Sequence, residues 1–334
     1  YYTGYFSDVV PAQGGYIACG HVLSTESFPL LSKVDSVGNF LWSNTLIDPQ
    51  DNGSLLRLTH WRDSLYLAVG TIQLGDTDHF AYVQMITESG DAVNAWSGIN
   101  GSSGTDICLT DDGGFLMAGM YVNSGFTFPY ISRTNAGGTT LWSDTLVLDT
   151  VWINLRACQP AGNDEYLLAG TRGVYIATDS THPVLIKVDG DGSLLWYRTY
   201  PDSVYPDLVI NDMAVLPAGD VVLVGTAWPA SGGTVFYHLV VDSDGNELHR
   251  WTHARRNENE AEAVTIDMDG GIVVSGHSNY YSQSGDMLLV KHRCDGTEVW
   301  SLFFGFDHDQ HAYGVCTTPD GGYLMAGGNV VCPG

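Results

Sequence analysis

An apolar run ending in glycine returns seven times along the 334-residue chain, and a second segment carrying tryptophan follows six of the copies. Together they predict an all-β chain, a β-propeller of four-stranded antiparallel blades. The 40 glycines and 12 prolines, spread over the whole length, point the same way, because both residues disfavour helix interiors and favour turns.

The glycine-ending runs are QGGYIACG to Gly20, DSLYLAVG to Gly70, DGGFLMAG to Gly119, NDEYLLAG to Gly170, AGDVVLVG to Gly225, DGGIVVSG to Gly276 and DGGYLMAG to Gly327, with 49 to 55 residues between successive glycines. They are apolar at every position instead of alternating, which is the pattern of a strand covered on both faces. A sheet stacked between two like sheets provides that environment. The closing glycine reads as a close approach of backbones, since glycine otherwise weakens a strand.

The second segment is an apolar strand, a tight Asp/Gly turn and a strand with tryptophan: VDSVGNFLW to Trp42, RTNAGGTTLW to Trp142, VDGDGSLLW to Trp196 and HRCDGTEVW to Trp300, with looser versions at Trp96 and Trp251. Six of nine tryptophans thus share one structural position, so they are expected to pack between repeats and not to bind ligand. Each period resolves into strands A to D, in the sixth about 261–268, 272–276, 287–292 and 297–303. D strands such as NELHRW mix polar and apolar residues and read as partly exposed outer edges. Four strands per ~50 residues fit a propeller; a solenoid needs shorter rungs, and a sandwich about seven strands per unit.

The repeats fall at about 1–47, 48–98, 99–147, 148–200, 201–254, 255–304 and 305–334, in one propeller domain over residues 1–334. The last repeat has half the usual length. The expectation is therefore seven blades with the last incomplete in this chain, its C and D strands lying beyond Gly334.

Lys and Arg number 13 against 38 Asp and Glu, a formal net charge of −25, which argues against nucleic acid or an anionic membrane as partner. No apolar run reaches membrane-span length, and the chain opens on Tyr1-Tyr2-Thr3-Gly4 instead of Met and a basic stretch, so neither a membrane span nor a signal peptide is expected within this sequence. The six cysteines are widely separated, with no C-x-x-C pair, and read as free thiols, mostly buried. A monomer is expected.

The DGGYLMAGG, DGGFLMAGM and DGGIVVSGH copies, each followed by a segment like LIKVDGDGSLLW, resemble the repeat of secreted β-propeller proteins of Bacteroidetes-type bacteria, which often carry type IX secretion sorting domains. The resemblance covers nearly the whole chain. It implies a secreted or cell-surface location and brings no shared catalytic residues. Copies two, four and five depart from it, reading RDSLY, GNDEY and AGDVV. The D-x-x-G-x-x-x-W element also resembles the tryptophan motif of quinoprotein and outer-membrane assembly propellers, whose repeats lack the DGGY…AG strand.

In this strand order the A–B and C–D turns share one end of each blade. The B–C and D–A loops share the other, and they are longer and different in every copy. That asymmetry marks the loop end as a binding face for a glycan or protein. Its aromatic candidates are Trp152, Tyr175, Trp228, Tyr280 and Tyr281; its polar candidates are Asp307, His308, Asp309 and His311, with Glu258, Glu260, Arg255 and Arg256 in the preceding D–A loop. Two histidines and two carboxylates suit a divalent cation or an acid and base. No cofactor is otherwise implied. Calcium is weighed for turn aspartates such as Asp189 and Asp191, which lack the D-x-D-x-D-G…E ligand pattern. The leading expectation is a non-enzymatic binding or structural module. The alternative is a polysaccharide lyase or glycoside hydrolase, which needs paired carboxylates or a His/Tyr pair facing an open groove.

Overall fold

A computed structural model of the protein describes residues 3–23, 27–46, 52–75, 78–148, 151–174, 180–279, 285–305 and 309–330. Contacts divide it into two compact units, Tyr1–Val147 and Leu148–Gly334. In the first unit, blade one consists of β1 (Thr3–Ala12), β2 (Gly15–Leu23), β3 (Ser27–Asp35) and β4 (Phe40–Thr45). Blade two consists of β5 (Asn52–Arg62), β6 (Leu65–Leu74), β7 (Asp78–Thr87) and β8 (Ala92–Asn100), and blade three of β9 (Ser102–Leu109), β10 (Phe115–Asn123), β11 (Phe126–Thr134) and β12 (Thr140–Thr145).

In the second unit, blade four consists of β13 (Val151–Gly162), β14 (Glu165–Val174), β15 (His182–Asp189) and β16 (Leu194–Thr199). Blade five consists of β17 (Asp207–Val215), β18 (Val221–Trp228), β19 (Val235–Val241) and β20 (Glu247–His253), and blade six of β21 (Glu258–Ile266), β22 (Ile272–Asn279), β23 (Asp286–His292) and β24 (Glu298–Phe304). The strands β25 (Asp309–Thr317) and β26 (Tyr323–Val330) follow.

The chain is all-β, with six four-stranded antiparallel blades in a β-propeller arrangement. The expectation of seven blades is not supported. Among the described residues the seventh repeat contributes only the antiparallel pair β25–β26. Two strands are half a blade, so the number of glycine-ending runs exceeds the number of blades.

The recurring glycine lies inside the B strand and does not end it: β22 continues past Gly276 to Asn279. A Cβ on Gly20, Gly70, Gly119, Gly170, Gly225, Gly276 or Gly327 would fall 1.8 to 2.1 Å from a carbonyl oxygen of the paired A strand. Only glycine permits that approach. Next to each contact the A strand carries one extra residue, a β-bulge, at Ser7, Leu56, Thr105, Arg156, Asn211, Glu262 and Tyr313. Two residues following these bulges tie one blade to the next: Asp8 accepts the Leu58 N–H at 2.8 Å, and Asp212 accepts the Val264 N–H at 2.8 Å.

The B strands are buried on both faces, as in the fully buried run Val221–Ala227 of β18. The D strands are largely exposed, as in β4. Apolar side chains fill the seams between neighbouring blades. Leu167, Leu185, Leu223 and Leu239 do so between blades four and five, and Val222, Phe236, Val274 and Leu288 between five and six. Each such side chain contributes about 1.5–3 kcal/mol when fully buried.

The tryptophans close these seams. Rings of Trp42, Trp96, Trp196 and Trp251 sit 2.7 to 3.0 Å from where a Cβ would stand on Gly90, Gly138, Gly245 and Gly296, each in the C–D turn of the next blade. Trp96 also donates from Nε1 to the Gly138 carbonyl at 2.7 Å. Trp300 packs instead on Tyr323 of β26, with ring centroids 5.6 Å apart.

Candidate binding site at the loop end of blade six

At the turn end of the blades the residue that opens several C–D turns is used locally. The side chains of Asp35, Asn135, Asp189 and Asp242 each accept, through Oδ1, the backbone N–H groups two and four residues on, at 2.8 to 3.0 Å. Bonds from Asn39 and Asn246 hold the carboxyls of Asp35 and Asp242 below the usual range. Asp189, weighed for calcium from the sequence, therefore caps its own turn.

The loop end of blade six is different. Glu260 near the start of β21 faces its cross-strand partner His277 near the end of β22, with Oε2 3.7 Å from Nε2. Glu262 is the bulged residue of β21, and Glu260, Glu262 and His277 each offer a ligand atom within 4.8 Å of the others. From β25, His311 stacks on His277 with centroids 3.8 Å apart, and Tyr313, the bulged residue of β25, lies 5.9 Å from His311.

Burial sets the charges here. It lowers the His277 pKa to about 3, with the neighbouring His311 adding to the effect and Asp309 opposing it. Burial also lowers the pKa of His311, so both imidazoles are neutral at neutral pH. Burial and the charge of Glu258 raise that of Glu260. His277 is closed off, with 5% of its side chain exposed, whereas 39% of the Glu260 side chain is open to solvent. His277 Nδ1 has no hydrogen-bond partner. The arrangement presents reachable carboxylates backed by neutral imidazoles. It can accept hydrogen bonds from hydroxyl groups or hold a cation through two carboxylate oxygens and a nitrogen.

The sequence candidates divide as follows. His311 and Glu260 come together, joined by His277. Asp309 accepts the Gly285 N–H at 2.5 Å, which ties the start of β25 to blade six. Arg255 is paired with Glu298 and Arg256 with Asp286, while Glu258 accepts from Asn279 at 3.3 Å, so these three are engaged elsewhere. Trp152 lies with its ring over Gly173 of its own hairpin and is partly buried. Trp228 ends β18 with 39% of its surface exposed. Tyr175, Tyr280, Tyr281, Asp307 and His308 lie outside the described residues. Sequence reasoning missed Glu262, His277 and Tyr313. The bulge that presents Glu262 and Tyr313 depends on strand register, which one sequence does not display.

A second concave surface lies where the D–A loop at 201–205 crosses blade five. Tyr205, Tyr237, Trp251 and Thr252 line it, with Arg250 donating to Asp202 at 2.9 Å. Burial raises the Tyr237 hydroxyl well above the ordinary tyrosine range.

No protein-family model matches the chain, and no curated protein matches it. Several solved structures share the fold. The polysaccharide lyase Uly1 superposes with a TM-score of 0.55 at 9% identity, covering 97% of this chain and 90% of that one. The Hadza microbial sialidase Hz136 does so with a TM-score of 0.53 at 10% identity, covering 92% and 74%. A Dyadobacter fermentans protein of unknown function has a TM-score of 0.50 at 12% identity, covering 98% and 94%. At these identities the likeness extends to the β-propeller fold alone.

Proposed function

We propose that this protein is a non-enzymatic binding module of a secreted or cell-surface protein, and that it recognises a glycan at the loop end of blade six. The observation that carries this reading is the gathering of Glu260, Glu262, His277, His311 and Tyr313 from three strands around a solvent-open carboxylate. The turn aspartates Asp189 and Asp242 at the opposite end are engaged by their own backbones. Carboxylates accept bonds from vicinal hydroxyls, and an aromatic ring packs on the apolar face of a sugar. A divalent cation bridging Glu260 and Glu262 to the ligand fits the same donor set. A glycan-array and titration screen with and without divalent cation, on the wild type and a Glu260→Gln/Tyr313→Ala double variant, tests it. Binding by the wild type and its loss in the variant are expected; a wild type that binds no glycan under either condition overturns it.

A second reading is favoured by the closeness of His311 and Tyr313 beside Glu260 and Glu262. In a polysaccharide lyase a neutral base takes the proton from the carbon α to a uronate carboxylate, and a C=C bond forms as the adjacent C–O bond breaks. An acid then protonates the leaving oxygen. His311 as base and Tyr313 as acid would suit those roles. Appearance of an unsaturated product from a uronic-acid polysaccharide, abolished by Tyr313→Phe, would establish it in place of the binding reading.

A further inference from the structure

Three histidines interrupt the seam between blades five and six. When the blades are aligned on the glycine of the C–D turn (Gly38, Gly90, Gly138, Gly192, Gly245 and Gly296), His238 occupies the place of Leu31, Val83, Ile131, Leu185 and Leu289. His292 stands where four of the other blades have Val34, Ile86, Val188 and Val241. His253 stands where others have Leu46, Leu146, Tyr200 and Phe304. Each substitution puts imidazole into a position where most other blades carry an apolar side chain, and all three fall at one interface.

They are buried there. His238 is 0%, His292 2% and His253 7% exposed. Both ring nitrogens of His238, Nδ1 of His292 and Nε2 of His253 have no hydrogen-bond partner. A buried polar atom without a partner costs about 1–3 kcal/mol, so histidines kept in this seam call for a ligand, which can reach two of the three rings.

The arrangement identifies that ligand by class. One atom each from His253, His292 and Glu298 lies within 4.8 Å of the other two, and His253 Nδ1 stands 3.4 Å from Glu298 Oε2. In a tetrahedral site with bonds of about 2.0–2.2 Å, neighbouring ligand atoms are roughly 3.3–3.6 Å apart. The His253–Glu298 separation already meets this, and the widest leaves about 1 Å to close. Arg255 pairs with the other carboxylate oxygen, Oε1, which orients Glu298 and leaves Oε2 to face the imidazoles. His238 stacks on Trp251 at 4.8 Å and meets His292 edge-on at 4.8 Å, fixing that ring from behind. The Glu298 side chain is 29% exposed, giving an ion a way in.

We propose that His253, His292 and Glu298 form a zinc-type divalent metal site that fastens blade five to blade six, with His238 as a positioning residue. Nitrogen and carboxylate donors with three protein ligands select such an ion over calcium, which prefers six to eight oxygens. The site is separate from the Glu260–His277 cluster and does not depend on the glycan reading.

The test is cobalt(II) and zinc(II) titration of the full, chelator-treated chain, followed by visible absorption, metal analysis of the dialysed protein and thermal melting. The wild type is expected to take up an ion with the intense visible bands of a tetrahedral cobalt centre, and to melt at higher temperature with zinc. His292→Val and His253→Leu install residues that other blades carry at the same places, so both are expected to fold; each should weaken uptake by about a hundredfold or more. A folded wild type without stoichiometric uptake, or uptake that persists in both histidine variants, overturns the proposal and leaves the histidines as packing groups only.

Discussion

A Cβ placed on Gly225 would fall 1.8 Å from the carbonyl oxygen of Val209, so glycine is the only residue that the pairing of β18 with β17 admits at that point. The same contact, repeated in every copy, is the physical content of the glycine that marks the repeat. Gly225→Ala should therefore require β17 to move away and is expected to destabilise the protein by about 3 kcal/mol or more. Gly232→Ala, at a positive φ of +88° with open space around it, should cost only about 1 kcal/mol. Urea denaturation of both variants checks the difference, and equal losses would contradict it.

Trp96 binds blade two to blade three through its ring against Gly138 and its Nε1 bond to that residue's carbonyl. Trp96→Phe should lose about 1 kcal/mol with the hydrogen bond, and Trp96→Ala about 3–5 kcal/mol with the packing. Neither should alter ligand binding at blade six. Unfolding midpoints alongside ligand titrations separate the two effects.

The fold was legible in the sequence because the period, the uniformly apolar B runs and the turn glycines all follow directly from what a stacked blade demands. The tryptophan position was legible for the same reason. The blade count was not, since seven B strands do not ensure seven sets of four. Of the candidate site, His311 and Asp309 stood out as neighbours in a charged stretch. His277 did not, because it sits in an otherwise apolar strand 34 residues away and meets His311 only through the pairing of β21 with β22 and their packing on β25. The seam histidines needed the copies to be aligned on their turn glycines before they appeared as departures from Leu and Val.

His238 offers a sign test. In the metal-free chain both of its ring nitrogens are buried without partners, and five other blades have an aliphatic residue in its place. His238→Leu is expected to raise stability in the presence of chelator by about 1–2 kcal/mol, as removal of an unsatisfied buried polar group of similar volume should. A loss of stability under those conditions would mean that the imidazole makes a favourable interaction in the folded chain.

Burial lowers the pKa of His277 to about 3 and of His292 to about 4. These histidines stay neutral in the folded metal-free chain while their unfolded counterparts, with pKa near 6.5, take up protons. Their contribution is complete above about pH 6.5 and falls as the pH drops toward 4, by up to about 1.4 kcal/mol per pH unit for each histidine. Melting temperature recorded from pH 8 to pH 4 in chelator should decline through this window, less steeply in His277→Val. A flat profile above pH 4.5 would show that the imidazoles are not held neutral.

The most direct test of glycan recognition at blade six is the glycan screen repeated with Glu260→Gln and Tyr313→Ala as separate variants, each first shown to melt as the wild type does. The proposed site predicts that a glycan bound by the wild type loses at least about tenfold in affinity, some 1.4 kcal/mol, in each variant. Wild-type affinity retained in both would place recognition elsewhere on the protein and contradict the assignment.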